Sequence, residues 1–175
     1  PDSRGPIPTL QETYDAKSYE AVSRGVFPTE ADVRHEMQCV LEVLDRYGVR
    51  TLRPAPLTDY NQVFARDVAF TIDDTVFISN LIPDRERETE AFASSVFPLI
   101  DPAHIETLPE AVHTEGGDVL LYDDILFIGV YFGADYSSFK TARTNRYAID
   151  FFRERFPHKR IVPIELRKHD HDPAQ

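Results

Sequence analysis

Carboxylate side chains stand at corresponding places in two stretches of the sequence. The first stretch, residues 61–67, ends at Asp67, and the second, residues 113–119, carries Glu115 and Asp118 around a pair of glycines. Acidic residues beside glycine are common in exposed turns, so a turn with solvated acids is one interpretation. The other interpretation is that the two segments carry their carboxylates to one cavity, where they share a ligand.

The glycine pair, Gly116 and Gly117, comes just before a run of apolar residues. Glycine adopts positive φ angles without steric cost, and it also lets a ligand come close to the backbone. We expect one of these two reasons to apply here.

Both acidic stretches lead into a sequence repeat. Residues 67–79 return 51 positions later as residues 118–129, and each copy has an acidic residue, an apolar strand, an Asp-Asp turn and a second apolar strand. This pattern predicts a β-hairpin. A helix and a third strand are predicted after each hairpin, at residues 87–99 and 105–108 and at residues 145–156 and 160–166. The predicted unit is therefore ββαβ.

Half of another unit precedes the first full copy. A helix is predicted over residues 30–47, with a capping box at residues 29–32, and a strand over residues 49–52. We expect this helix to pack on a sheet. Units of about fifty residues bury their apolar faces against neighbouring units, as in propellers. The chain is thus expected to hold two and a half units of a larger array, completed by the same full-length chain or by a homo-oligomer.

The predicted domain organisation has two parts. Residues 1–28 are expected to form an N-terminal arm or loop region, and residues 29–175 a partial repeat domain. The repeats are expected to end near residues 54, 109 and 166.

Composition narrows the classes of partner. Thirty acidic and nineteen basic residues give a net charge of −11, which argues against sequence-independent binding to nucleic acid or to an anionic membrane. No apolar run approaches the roughly 18 residues of a membrane span, and the first residues lack an apolar signal core. We therefore expect a cytoplasmic protein. The one cysteine, Cys39, cannot form an internal disulfide and is expected to be a small buried thiol.

Three motifs, in this order along the chain, resemble the guanidino-group-modifying or pentein superfamily. They are Phe-x-Arg-Asp at residues 64–67, Glu-Gly-Gly-Asp-Val at residues 115–119 and Arg-Thr-Asn at residues 143–145. The superfamily includes arginine deiminase, dimethylarginine dimethylaminohydrolase and the amidinotransferases, and the resemblance covers roughly residues 30–168. The resemblance implies an α/β protein, a pentein-type α/β-propeller of ββαβ repeats, here an N-terminal portion with about two and a half of five units.

The resemblance also implies roles for individual residues. Asp67 would bind the guanidinium of the substrate, and Glu115 would help to hold it or orient a catalytic histidine. A guanidinium presents a planar fork of N–H donors that carboxylates match. Supporting roles in the same substrate site fall to Asn61, Phe64, Arg66 and Asp118: Asn61 and Arg66 would fix the loop, and Asp118 would bond to backbone around the glycine pair.

Arginines near the motifs have two interpretations each. Arg143 stands where the family has an arginine that can pair with a substrate carboxylate, although an arginine at a helix entrance is also common surface charge. Arg85 and Arg87 are further candidates for carboxylate binding, and their acidic neighbours are equally typical of a solvated helix start. Residues 131–140 resemble an insertion that could reshape the substrate entrance.

Family chemistry needs a cysteine thiolate that attacks the guanidinium carbon and a histidine that protonates the departing amine. Cys39 lies in the middle of the first helix, so the nucleophile is expected outside this chain. Residues 169–172 contain the family's His-x-Asp pattern twice, at His169 and His171. Their surroundings indicate a polar loop, so the catalytic histidine is also expected outside the chain, with these two histidines as the alternative.

The resemblance therefore implies part of an amidinotransferase or amidine hydrolase that cleaves a C–N bond of arginine or a related guanidino compound. The reaction would proceed through a covalent cysteine adduct, without a metal or an organic cofactor. Transferase and hydrolase remain open. So do a non-catalytic pentein-like binding module and an inactive fragment, although carboxylates at equivalent entrances of two repeats favour the enzyme.

Overall fold

The computed structural model describes residues 5–13, 15–138 and 142–166. The helices in these ranges are α1 (Ala16–Ser23), α2 (Glu30–Arg46), α3 (Ala65–Val68), α4 (Glu86–Ser95) and α5 (Arg146–Arg155). The strands are β1 (Ala69–Ile72), β2 (Thr75–Ile78), β3 (Ile105–Thr107), β4 (Val119–Tyr122), β5 (Ile125–Val130) and β6 (Arg160–Glu165). Short 3₁₀ turns connect several of them.

Asp-Asp turns close both predicted hairpins, β1–β2 and β4–β5, and both pairs are antiparallel. The first residue of each turn, Asp73 or Asp123, has a φ near +55°. Aspartate tolerates this left-handed conformation better than most residues, which explains the turn at these two positions. The hairpin predictions are confirmed.

A third, parallel strand completes each sheet. β3 pairs with β2 and β6 pairs with β5, so two three-stranded sheets form in the orders β1-β2-β3 and β4-β5-β6. α4 and α5 connect the hairpins to these third strands, and the ββαβ unit is present twice. Each hairpin is preceded by a short helical turn, α3 or the 3₁₀ turn Gly116–Asp118, so β1 begins two residues after Asp67.

The core lies between consecutive units. Phe77 of β2 is fully buried, and its ring centroid lies 5.6 Å from that of Phe152 and 5.8 Å from that of Phe156, both on the α5 side of the second unit. Phe70 of β1 also contacts Phe152, with centroids 6.1 Å apart. The helix of the second unit therefore covers the sheet of the first, as expected for units that bury their apolar faces against neighbours.

The first half unit is less complete than predicted. α2 begins at the expected capping box of Thr29 and Asp32, but Val33 is its only buried residue. No described strand lies beside residues 49–52, which do not form a strand. A strand needs a hydrogen-bonded neighbour, so the predictions of this strand and of a sheet under α2 are wrong for the described part of the chain.

Two smaller predictions also need correction. Cys39 is exposed on α2 and is not the buried thiol expected from its type. Residues 1–28, expected as an arm or loop, contain α1, which the Asp15 side chain caps by accepting the N–H groups of Lys17 and Ser18.

The insertion-like segment, residues 131–140, contains the 3₁₀ turn Tyr136–Ser138. His169 and His171 lie outside the described residues.

None of the helices in the described ranges is long and apolar enough to cross a membrane.

Candidate functional site

Asp67 and Glu115 come from different repeats but meet at one group, the guanidinium of Arg85. Nη1 of Arg85 lies 2.9 Å from Oδ2 of Asp67 and 3.2 Å from Oε2 of Glu115. All three side chains are largely buried, with exposed fractions of 15% for Arg85, 17% for Asp67 and 7% for Glu115. The structure therefore brings together the two carboxylates that the sequence placed at equivalent strand entrances.

Close packing between the two repeats holds Asp67 in place. Its Oδ1 accepts the backbone N–H of Gly117 at 3.1 Å. A Cβ added to Gly117 would lie 2.5 Å from this oxygen, and one added to Gly116 would lie 2.1 Å from the carbonyl oxygen of Arg66. Neither glycine has a positive φ. The glycine pair is thus needed for the close approach of protein atoms, and the positive-φ alternative is wrong.

Arg66 joins the same two segments from the other side. Its Nε donates to the carbonyl of Gly116 at 2.8 Å, and its Nη2 donates to the carbonyl of Val119 at 2.5 Å. These bonds tie the turn before β1 to the residues at the start of β4. The role of Arg66 in a substrate site stays a prediction.

Glu88 is a site residue that the sequence interpretation missed. Its carboxylate accepts Nε of Arg85 at 2.7 Å and Nη2 of Arg85 at 3.0 Å, in a bidentate pair. Glu88 is only 3% exposed. The acidic start of α4 was equally typical of a solvated helix face, and at Glu88 that interpretation is wrong. The i,i+3 spacing of Arg85 and Glu88 is the one sequence signal that could have indicated the pair.

Each of the three residues of the Arg-Thr-Asn motif, 143–145, makes a different contact. Nη1 of Arg143 lies 3.1 Å from Oε1 of Glu115, so Arg143 binds the carboxylate oxygen that Arg85 does not contact. The Thr144 hydroxyl donates to Oδ2 of Asp118 at 2.6 Å. The Asn145 side chain caps α5. The motif thereby fixes both acidic residues of the second repeat.

The remaining predicted residues shape the loop before α3. Oδ1 of Asn61 accepts the N–H of Val63 at 3.1 Å, which fits a residue that fixes the loop. Phe64 has an exposed ring, and its carbonyl accepts Nη2 of Arg85 at 3.4 Å. Gln62, which the sequence interpretation missed, is 1% exposed and binds the backbone of the preceding loop through both ends of its amide.

A cavity of about 730 Å³ opens beside this cluster. Its wall includes Arg85, Glu88 and Arg143 together with residues of the N-terminal region, α2 and the loop before α3. Asp67 and Glu115 do not line it. Both guanidinium groups therefore line the cavity and also contact Asp67 or Glu115, which do not line it.

Burial and charge oppose each other in the cluster. Burial raises the pKa of Glu115, while the positive charges of Arg143 and Arg85 lower it. Burial likewise raises the pKa of Glu88 against the effect of its hydrogen bonds to Arg85. Burial alone would lower the pKa of Arg85, but the hydrogen bonds and charge of Glu88, with the charge of Glu115, raise it, so Arg85 stays protonated.

Tyr136 lies near the same cluster, within residues 131–138, the described part of the insertion-like segment. Its ring centroid lies 6.4 Å from that of His113. Burial, followed by the negative charge of Glu115, raises the pKa of Tyr136 to about 12, so the phenol is neutral near pH 7. The sequence indicated only that the segment lies near the substrate entrance.

Chemically, the arrangement can hold a planar cation between carboxylates. Among the described residues, no group of His, Cys, Asp and Glu side chains is arranged to hold a metal ion.

No protein-family model matches the chain. A curated protein of Bacillus subtilis (strain 168), the uncharacterized protein YkgA, is 30% identical over 107 residues, which cover 61% of this chain and 33% of YkgA. The match therefore spans about a third of that relative.

Solved structures match over most of the chain. The dimethylarginine dimethylaminohydrolase of Pseudomonas aeruginosa, in complex with citrulline, has a TM-score of 0.60 and 18% identity over 82% of this chain and 54% of its own. The N-terminal domain of ArgZ, a cyanobacterial arginine dihydrolase bound to substrate, has a TM-score of 0.62 and 14% identity over 80% of this chain and 48% of its own. SxtG, an amidinotransferase of Microseira wollei in saxitoxin biosynthesis, has a TM-score of 0.58 and 15% identity over 79% of this chain and 50% of its own.

The chain spans about half the length of these solved structures. With sequence identities of 14–18%, the similarity to these three structures establishes the fold of the chain. The chain therefore has the fold of the guanidino-group-modifying or pentein superfamily, as its three ordered motifs predicted.

Proposed function

We propose that the full-length protein is a guanidino-group-modifying enzyme, and that this chain supplies the carboxylates that bind the guanidinium of its substrate. One observation carries the proposal: Asp67 and Glu115, from two different repeats, converge on a single guanidinium nitrogen of Arg85. Paired carboxylates complement the planar N–H fork of a guanidinium. A site that holds this group within the protein has the charge and geometry to hold the same group of a ligand.

The fold supports the same class of reaction. The matched structures include a complex with citrulline and an arginine dihydrolase with its substrate. We take arginine or a related guanidino compound as the substrate, cleaved at a C–N bond through a cysteine adduct. In this proposal the chain contributes about two and a half of five propeller units, with residues 29–175 as the repeat domain and the other units in the rest of the full-length protein.

The nucleophile and the catalytic histidine are assigned to parts of the protein outside the described residues. Cys39 is exposed on α2, whereas the carboxylates lie on α3 and in the turn before β4. In the proposed reaction the thiolate attacks the guanidinium carbon, the C–N bond to the leaving amine breaks, and the histidine protonates that amine. Glu115 either shares the guanidinium with Asp67 or orients this histidine.

The acceptor of the amidino group decides between transferase and hydrolase. Tyr136, on the segment 131–140, lies close enough to Glu115 for the carboxylate charge to affect its pKa. We assign this segment to the wall of the acceptor site, where its shape would admit an amine or only water.

The substitution Asp67→Asn tests the proposal in the full-length protein. It removes one acceptor charge while keeping the size of the side chain, so kcat/KM for arginine should fall about 10- to 100-fold, as for a lost charged hydrogen bond. Asp123→Asn is the matched control, because Asp123 is exposed in a hairpin turn whose positive φ asparagine also tolerates. Near-normal activity of Asp67→Asn would refute the assigned role.

Cys39→Ser tests the placement of the nucleophile. Because Cys39 is exposed on α2, its substitution should leave turnover and the amidino adduct unchanged. Mass spectrometry of the protein trapped during turnover measures the adduct. Its disappearance in Cys39→Ser would show that the nucleophile lies within this chain.

A binding module without catalysis is the second candidate. It is favoured by the ion pairs of Arg85, which already satisfy Asp67 and Glu115 without a ligand. For such a module, Asp67→Asn would lower stability, and no turnover of guanidino compounds would be measured for the unmodified full-length protein.

A further inference from the structure

Arg85 fills the place that the proposed function gives to the guanidinium of the substrate. Its Nη1 contacts Oδ2 of Asp67 and Oε2 of Glu115. The other oxygens of this carboxylate pair are taken by the N–H of Gly117 and by Arg143. Nη1 of Arg85 occupies the position within hydrogen-bond distance of both carboxylates, so a ligand guanidinium can take that position only after Nη1 has moved away.

Arg85 also connects the cavity with the two carboxylates. It lines the cavity of about 730 Å³, whereas Asp67 and Glu115 do not. Its backbone lies where the 3₁₀ turn Pro83–Arg85 meets the first residue of α4. The side chain thus extends from a junction between two elements, lines the cavity and contacts both carboxylates.

Glu88 provides a reason why Arg85 can move. The bidentate pair uses Nε and Nη2 of Arg85, while the contacts to Asp67 and Glu115 use Nη1. The guanidinium is a rigid plane, so Nη1 leaves the pair when the group rotates about its edge to Glu88, and Arg85 then still has a buried carboxylate as its partner. A buried guanidinium without any partner would be strongly unfavourable, and Glu88 removes that obstacle.

The net charge of the cluster would be balanced by one further cation. Three carboxylates, on Asp67, Glu88 and Glu115, face two guanidinium groups, on Arg85 and Arg143. When all five groups are ionised, one negative charge remains. An entering guanidinium would bring the cluster to neutrality.

We propose that Arg85 is an internal competitor of the substrate, whose guanidinium closes the Asp67–Glu115 pair in the ligand-free protein and is displaced by the substrate while Glu88 retains it. This inference rests on the proposed function, because it uses the same two carboxylates. Competition lowers the apparent affinity by the fraction of molecules in which the pair is open. It also favours ligands with a planar N–H fork, since a ligand guanidinium can offer a separate nitrogen to each carboxylate, whereas an ammonium must serve both from one nitrogen.

Binding of two small cations to the full-length protein tests the proposal. Ethylguanidinium and propylammonium have similar size and the same charge, and neither has a carboxylate, so a role of Arg85 in carboxylate binding does not affect the result. Calorimetry at constant ionic strength should show that Arg85→Gln binds ethylguanidinium at least about 10-fold more tightly than the unmodified protein, with a smaller gain for propylammonium. Arg153→Gln, at an exposed arginine of α5, is the control and should change neither.

Two results would overturn the proposal. The first is unchanged or weaker binding of ethylguanidinium to Arg85→Gln. The second is an equal gain for both cations, because loss of a positive charge alone strengthens the binding of any cation. If Arg85→Gln does not fold, Arg85→Lys serves instead: its ammonium keeps the charge but cannot bridge Glu88 and the pair, so a smaller gain with the same preference is expected.

The unmodified protein gives an independent measurement. The ¹⁵N resonance of the Nη1 group of Arg85, assigned by its loss in Arg85→Lys, should shift as ethylguanidinium binds, because Nη1 is the group that leaves Asp67 and Glu115. Saturation with ethylguanidinium that leaves this resonance in place would show that Arg85 is not displaced.

The double variant Asp67→Asn with Arg85→Gln separates this proposal from the proposed function. If the two carboxylates bind the ligand, the gain in affinity seen with Arg85→Gln disappears in the double variant. A gain that persists places ethylguanidinium elsewhere and overturns the carboxylate assignment itself. If Arg85→Gln alone gives no gain while Asp67→Asn still impairs turnover, only the displacement of Arg85 is refuted.

Discussion

Arg66 should stabilise the contact between the two repeats, and its removal gives a measurable prediction. The side chain donates from Nε to the carbonyl of Gly116 and from Nη2 to the carbonyl of Val119. It therefore connects the turn that carries Asp67 to the turn that carries Glu115. Arg66→Ala removes both bonds and leaves two carbonyl groups without this donor.

The expected loss follows from the number of bonds and their exposure. A typical intramolecular hydrogen bond contributes a net ~0.5–1.5 kcal/mol, and a bond to a charged group contributes more. Arg66 is exposed, so water competes for its guanidinium in the folded protein and the lower range applies. Arg66→Ala should thus lower the free energy of unfolding by about 1–3 kcal/mol. Arg66→Lys keeps the charge but not the fork, so it should lose about half as much.

Urea unfolding of the full-length protein, followed by circular dichroism, measures these differences by linear extrapolation. Arg34→Ala is the matched control, because Arg34 forms an exposed ion pair with Glu30 one turn earlier on α2. Such i,i+4 pairs contribute only about 0.3–0.5 kcal/mol. If Arg66→Ala were no less stable than Arg34→Ala, the two bonds of Arg66 would not hold the repeats together.

Three further predictions concern the site and the core. Gly117→Ala should lower kcat/KM about 10-fold or more, because its Cβ would lie 2.5 Å from Oδ1 of Asp67 and displace that carboxylate; unchanged kinetics would contradict this. The Glu115 carboxyl, followed by ¹³C NMR, should titrate above its ordinary pKa of 4.5 because of burial. The variant Arg143→Gln should raise this pKa further, because it removes a positive charge that lowers the pKa of Glu115. A midpoint at or below 4.5 in the unmodified protein would be evidence against the buried site. Because the folded-state pKa is raised, the contribution of Glu115 to stability is present below pH 4.5 and is lost as the pH rises through the folded pKa. Phe77→Ala should lower the free energy of unfolding by about 3–5 kcal/mol, since Phe77 is fully buried against four aromatic rings; a loss below about 1 kcal/mol would show that the core is packed differently.

The repeat was predictable because its signals are local. Each hairpin consists of alternating or continuous apolar residues around an Asp-Asp turn, and the turn geometry depends on residues that are neighbours in sequence. The caps of α2 and α5, at Thr29 and Asn145, are local in the same way. Elements determined by neighbours in sequence could be assigned without knowledge of the fold.

The predictions of a strand at residues 49–52 and of a buried Cys39 were wrong because they do not depend on local signals alone. Both depend on what lies beside the segment in space. The residue types favour a strand and a buried thiol, but the described part of the chain places no sheet next to them. Burial is a property of the whole assembly of elements, and a local pattern indicates only that an apolar face needs a partner.

The same distinction between local signals and spatial neighbours applies to the candidate site. The sequence determined which residues could take part, since Asp67, Glu115 and Arg143 stand in recognisable motifs. Only the tertiary structure decided that the two acids meet at Arg85 and that Glu88 is buried beneath it. Glu88 and Arg85 share a helix start whose charge pattern is the same for a solvated face as for a buried ion pair. Which of these forms depends on the second repeat packing against the first, and that contact joins residues about thirty to fifty positions apart.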